Sequence, residues 1–340
     1  MHGKDGMEAR SLRRAGVWVL ASVVLAACGG EGDGAEGDRL MVATTVSPIT
    51  NIVQNVGGDR IEVTGIVPEG TNSHTFEPAP SDARVMADAD VVFINGLHLE
   101  EPTRELAESN VREDVEIVPL GDRTIVPDQY IYDFSFPEAE GDPNPHLWTN
   151  PLLAGRFAEI VRNELALLSP EDAAYFERNY RTFTERIDAL DALVREVTAS
   201  VPEENRKLLT YHDSFPYFAR EYGWEIIGAV QPSDFSEPTA QEVAALIDQI
   251  RAERVPAIFG SEVFSSPVLE QIADEAGAEY VDDLRDDDLP GEAGDPEHSY
   301  FGLVVFDFRT FMGALGGDVS AFDGFDVSNI AGECCATYRY

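Results

Sequence analysis

Residues 169–200 contain almost no helix breaker and repeat apolar or aromatic side chains at three- and four-residue steps, which commits the middle of the chain to one long helix. The repeating positions are Tyr175, Phe176, Tyr180, Phe183, Ile187, Leu190, Leu193 and Val194. Ser169 reads as the N-cap and Pro170 as the first helical residue, where a missing N–H costs nothing. At 1.5 Å per residue such a helix reaches about 45 Å, enough to bridge two domains. A single core does not comfortably serve the roughly 300 residues that carry the pattern, so two bodies are expected.

On both sides of that helix, strands alternate with helices. Before it, residues 40–45, 61–67 and 90–95 read as strands, with helices opening at Ser47-Pro48 and near residues 81–89. After it, residues 207–211, 225–230, 257–259 and 278–281 read as strands. Pro238-Thr239-Ala240-Gln241-Glu242 carries a Thr-x-x-Glu capping box that starts a helix whose apolar face holds Val243, Leu246, Ile247 and Ile250. This rhythm predicts an α/β fold of two lobes, each with a mainly parallel sheet, joined by the long helix. The boundaries are an N-terminal lobe over 40–168, a linking helix over 169–202, a C-terminal lobe over 203–318 and a tail over 319–340 whose purpose the sequence does not disclose.

The N-terminus reads as an export signal. Arg10, Arg13 and Arg14 precede an apolar run over 15–27 that is too short to span a bilayer permanently. Leu25-Ala26-Ala27-Cys28 resembles the lipobox of bacterial lipoproteins, which predicts cleavage after residue 27 and a lipid on Cys28. The competing reading is an ordinary signal peptide with a chance cysteine. The Gly- and acid-rich residues 29–39 then form a flexible tether, and the body is held by its lipid at the outer face of the cytoplasmic membrane. The adjacent Cys334 and Cys335 rarely bridge each other without strain and define no disulfide framework.

Charge excludes one class of partner. The chain has 24 basic and 63 acidic residues, and its lysines are Lys4 and Lys207 alone. Removing residues 1–28, with four basic and two acidic side chains, leaves 20 against 61, a net charge of −41. Nucleic acid is excluded, because phosphate binding needs a basic surface. The acidity reads as a solvated coat suited to salty surroundings, the alternative being a cation-attracting field, which salt screens within about 10 Å at 0.1 M.

Three of the six histidines share a context. His74 lies in Gly70-Thr71-Asn72-Ser73-His74, His146 in Asp142-Pro143-Asn144-Pro145-His146, and His212 directly after the strand 207–211. Each sits in a turn or past a strand, and open α/β sheets bind ligands outside the carboxyl ends of their strands. Three imidazoles and a carboxylate make a four-ligand site for a divalent metal. Their separations of 72 and 66 residues are no local motif, so this reading competes with three ordinary surface or hydrogen-bonded histidines.

Five segments in fixed order carry a family resemblance: GTNSHTFEPAPSD (70–82), ADADVVFINGLHLE (87–100), DPNPHLWTNP (142–151), LTYHDSFPYFAREYGW (209–224) and EYVDDL (279–284). From about residue 42 to 315 the chain resembles the metal-binding solute-binding proteins of ABC importers for zinc and manganese, the cluster A-I family. The resemblance implies a metal buried in the cleft between the lobes, a lipoprotein monomer, and a membrane permease as partner. Carried over position by position, it implies His74, His146, His212 and Asp282 as ligands, with Asp283 as the alternative for the last. A histidine rather than a glutamate at position 212 favours Zn2+, with Mn2+ as the alternative. It implies no enzyme, since four protein ligands leave no position for an activated water. A metal-dependent hydrolase, an adhesin with secondary metal binding and a receptor for an organic ligand or chelate are the competing functions.

The chain also departs from the family. Zinc-type relatives often carry a histidine-rich loop between the first two ligands, and residues 122–142 contain no histidine. His98 and His298 read as non-ligands, Glu77 and Asp213 either as acceptors for imidazole N–H groups or as an exposed acid and a cap of the helix after Tyr211, and Glu262 as a structural or hydrogen-bonding residue. Neutral imidazoles are needed for ligation, so affinity is expected to fall as pH drops below their ordinary pKa of about 6.5.

Overall fold

The computed structural model describes residues 39–231, 238–261, 267–331 and 336–338. The export segment with Cys28, the tether apart from Arg39, Glu262, Cys334 and Cys335 lie outside the described residues, as does the side chain of Asp283. No described helix is long and apolar enough to cross a membrane.

The N-terminal lobe is built from β1 (Leu40–Thr44), α1 (Ser47–Gly57), β2 (Ile61–Gly65), α2 (Asp82–Asp88), β3 (Val91–Ile94), α3 (Glu101–Asn110), β4 (Glu116–Pro119) and the short α4 (Leu120–Thr124). Its strands are parallel and ordered β4-β3-β1-β2, with β1 and β2 in register from Leu40 opposite Ile61 to Thr44 opposite Gly65. All four residues of β3 are buried, as expected for a parallel strand covered on both faces.

Two helices then run back and forth: α5 (Pro151–Leu168) and α6 (Ala173–Ser200). The long helix is therefore present but starts later than the sequence suggests, and a second helix, α5, precedes it. Ser169 closes α5 instead of opening α6, with its N–H bonded to the Leu165 carbonyl and its hydroxyl donating to Asp172 at 2.9 Å. Pro170 accounts for the break, because a proline disfavours helical backbone at the residue before it. The 28 residues of α6 extend about 42 Å. Its buried stripe, Phe176, Phe183, Ile187, Leu190, Val194 and Val197, keeps the three-to-four spacing of the pattern.

The C-terminal lobe comprises β5 (Lys207–Thr210), α7 (Pro216–Tyr222), β6 (Glu225–Ala229), α8 (Ala240–Glu253), β7 (Ala257–Ser261), α9 (Pro267–Ala276), β8 (Glu279–Leu284) and α10 (Tyr300–Ala314). Its parallel sheet has the order β6-β5-β7-β8. The predicted capping box is formed: Glu242 donates its N–H to the Thr239 hydroxyl at 3.3 Å, and the Thr239 N–H donates to the Glu242 carboxylate at 2.7 Å. One hydrophobic cluster runs through both lobes, from Val53 of α1 through Phe183 of α6 to Phe308 of α10. Each fully buried aromatic in it contributes roughly 1.5–3 kcal/mol over an exposed position. The lobes thus share a core, which opposes wide separation.

The tail is not an appendage. Residues 319–322 form a 3-10 turn with Phe322 buried, and β9 (Ala336–Thr337) adds a fifth parallel strand to the N-terminal sheet beside β2. A segment that follows the last helix of the C-terminal lobe therefore ends on the other lobe.

Candidate metal centre

Parallel strands bring all their carboxyl ends to one edge of each sheet, and the two edges face each other. His74 comes from the loop after β2, where an Asx turn holds it: the His74 N–H donates to Asn72 Oδ1 at 2.9 Å. His146 precedes a 3-10 turn over Leu147–Thr149 and is fully buried. His212 follows β5 and is 3 % exposed. The structure brings these three together. His74 Nε2 lies 3.1 Å from both His146 Nε2 and His212 Nε2, with the His212 ring nearly perpendicular to the other two. Donors bound to one tetrahedral ion at about 2.0–2.1 Å stand roughly 3.3 Å apart, close to the spacing found.

The ring nitrogens facing away are held as ligation requires. His146 Nδ1 is 2.9 Å from Asn144 Oδ1, which only accepts, so Nδ1 carries the proton and Nε2 offers its lone pair. The Asn144 orientation is fixed because its amide nitrogen donates to Asp133 at 2.9 Å and to the Asp213 carbonyl at 2.6 Å. His212 Nδ1 is 2.6 Å from Asp286 Oδ2, the carboxylate–histidine arrangement found behind metal-ligating imidazoles. Asn144 and Asp286 therefore fill the role expected of Glu77 and Asp213. Glu77 is exposed, whereas Asp213 is buried and accepts the Ser135 N–H at 3.4 Å. Asp286→Asn should weaken metal binding about 10–100-fold with little change in melting temperature. Titration calorimetry on the folded variant checks it.

Asp282 is not brought to the cluster. The strand expected to end at 281 runs on to Leu284, so Asp282 lies inside β8, exposed, with its carboxylate bonded to the Tyr280 hydroxyl. Its alternative, Asp283, also falls within β8. The residues past the true strand end are Asp286 and Asp287, buried, with ligand atoms of His212, Asp286 and Asp287 all within 4.8 Å of one another. Asp287 Oδ2 accepts the Ser73 hydroxyl at 2.7 Å, and Asp287 Oδ1 is buried without a hydrogen-bond partner. The signal for them was the Asp286-Asp287-Asp288 run itself, usable only once the end of β8 is placed.

Burial, followed by the charge on His212, holds the His74 and His146 imidazoles well below their ordinary pKa. Burial acts on His212 in the same sense, but the Asp286 carboxylate at its Nδ1, joined by Asp287 and Asp213, outweighs it and raises the imidazole to about 9. Asp287 is raised to about 6 by burial and then by the Asp286 charge. Without a metal at neutral pH, the cluster therefore carries one proton beyond those of three neutral imidazoles, on His212, with Asp286 as its counter-charge.

Phe136 covers the cluster, its ring centroid 5.4 Å from that of His74 and 5.7 Å from that of His146. Beside it a cavity of about 100 Å³, lined by Leu97, His98, Glu140 and Asp142, opens onto His74, the partly exposed member of the three. The turn Gly96-Leu97-His98 has three successive positive φ values of 78°, 51° and 64°, a costly conformation for the two non-glycine residues. It is held by the Leu97 N–H donating to Asp122 at 3.0 Å and the Asn95 N–H donating to Glu100 at 2.6 Å. His98 stands at the cavity mouth and His298 is buried against Tyr338; neither joins the clusters of close ligand atoms.

Two α/β lobes enclosing three imidazoles and two carboxylates, contributed from both sides of the cleft, define a two-lobed binding protein for a cation. The chain belongs to the ZnuA family, the periplasmic component A of the zinc-uptake complex, whose model matches residues 42–314. It is 31% identical over 290 residues to the zinc-binding protein TroA of Treponema pallidum, covering 84% of this chain and 92% of that protein. It is 26% identical over 303 residues to the manganese-binding lipoprotein MntA of Halalkalibacterium halodurans, covering 88% and 97%. The solved structure of the Treponema pallidum protein superposes with a TM-score of 0.74 at 29% identity, covering 82% of this chain and 99% of that one.

Proposed function

We propose that the chain is the extracytoplasmic substrate-binding component of an ABC importer, taking up Zn2+, with Mn2+ as the alternative, and delivering it to a membrane permease. The observation that carries this reading is the convergence of three Nε2 atoms from two lobes, two of them with Nδ1 fixed by an acceptor. The ligands are His74, His146, His212 and, in place of Asp282, Asp287 through Oδ1. Three nitrogens and one oxygen suit zinc better than manganese. A sphere closed by four protein ligands leaves no site for activated water, so the protein binds and releases without catalysis. The mature protein is a monomer anchored through a lipid on Cys28, with residues 29–39 as its tether.

Elemental analysis of protein purified without added metal, followed by calorimetric titration of Zn2+ and Mn2+ into the stripped form, tests the reading. One tightly bound ion per chain is expected, with Zn2+ tighter; absence of tight binding for both ends the proposal. Because α6 and the core shared by the lobes resist separation, small-angle scattering of metal-free and metal-loaded protein should differ little. A large compaction on loading would overturn the stiff-linker part of the reading.

A further inference from the structure

We propose that the C-terminal tail is a clasp that positions the metal centre, acting through a hydrogen-bonded seam that crosses between the lobes. The tail lies beyond residue 314, where the family match stops. It nevertheless reaches two fully buried asparagines of the N-terminal lobe, Asn51 and Asn55. The side-chain nitrogen of Asn51, on α1, donates to Asn329 Oδ1 at 3.0 Å and to the Tyr338 hydroxyl at 2.9 Å. Neighbouring Asn55 reaches the same Asn329 oxygen at 3.0 Å, and its own side-chain oxygen accepts the Ile330 N–H at 2.7 Å. Asn51 and Asn55 are fully buried with the tail in place, and the tail supplies a partner to each of them.

The other end of Asn51 faces the C-terminal lobe. Asn51 Oδ1 accepts the N–H of Tyr300, the first residue of α10, at 2.8 Å. The Tyr300 hydroxyl donates to the Trp148 carbonyl at 2.8 Å, back in the N-terminal lobe. The Trp148 indole N–H then donates to the Asp286 carbonyl at 2.9 Å, and the Asp286 carboxylate holds His212 Nδ1. Helix α10 adds a second hold on the same loop, because Asp307 accepts the Arg285 N–H at 2.9 Å. Every side chain from Asn51 to His212 on this route is at most 3 % exposed. Buried polar networks of this kind respond as units, so loosening the tail relaxes the placement of Asp286 and Asp287 without touching a ligand.

The consequence for ion release rests on the function proposed above; the seam itself does not. In full-length protein, Asn329→Ala combined with Tyr338→Phe should leave one Zn2+ per chain but speed its release into a chelator roughly 5–10-fold, as measured by stopped flow. Tyr300→Phe, which cuts the seam midway, should speed release too, and adding it to the tail variant should bring little further change. Amide hydrogen exchange at residues 300–302 should accelerate in the metal-free tail variant. Release within twofold of the parent, or exchange that does not change in that segment, overturns the clasp. A parent that binds neither Zn2+ nor Mn2+ defeats the functional reading instead, and the exchange experiment then decides the clasp alone.

Discussion

Replacing Asp287 by alanine should lower zinc affinity about 10²–10³-fold, while Asp282→Ala leaves it within twofold. The magnitude follows from sharing roughly 10–16 kcal/mol of zinc binding among four ligands, about 2.5–4 kcal/mol each, at 1.4 kcal/mol per factor of ten. Asp287 has one oxygen committed to Ser73 and the other buried with no partner, an expensive arrangement unless a cation completes it. Asp282 is bonded to Tyr280 on the exposed side of β8. His146→Ala should match the Asp287 loss, since His146 is wholly buried and already held in the ligating tautomer. Isothermal titration of the three variants, each checked for an unchanged melting transition, measures the contrast. Equal losses at 282 and 287, or none at 287, would remove Asp287 from the ligand set.

Zinc binding near pH 7 should release close to one proton, and affinity should climb about tenfold per pH unit between roughly 6 and 9. The proton is the one that Asp286 holds on His212, raised to about 9 from an ordinary value near 6.5. The ion needs that Nε2 as a lone pair, so proton and metal compete for one position. In the metal-free protein the sign is opposite. A histidine whose folded pKa is raised stabilises the fold fully below about 6.5 and loses that contribution as pH rises through about 9. Below about 6, protonation of Asp287 adds a second competing proton and the slope steepens. The expectation from histidine chemistry alone, a fall only below about 6.5, is thus moved upward by a neighbour the sequence did not identify. Calorimetric titrations in buffers of different ionisation enthalpy count the proton; a count near zero at pH 7 would mean that His212 is neutral without metal.

The chain states part of this site openly and part only when folded. Periodicity along the chain and the residue types at turns are local properties, and they determined the alternation of strands and helices, the long helix, the capping box at Thr239 and the three histidines in loops past strands. Local pattern misplaced the start of α6 because Pro170 fits a first helical turn as well as it fits a break between two helices. The family resemblance pointed to Asp282, but β8 runs on to Leu284 opposite Ser261 of β7, so Asp282 stays within the strand and the carboxylates past its end are Asp286 and Asp287. Asn144 and Asp286 behind the imidazoles, the raised His212, and the route from the tail to Asp286 join residues up to hundreds of positions apart. Only the packing of two lobes on one core decides which of them meet, since burial and hydrogen-bond geometry are set by neighbours in space that sequence spacing does not encode.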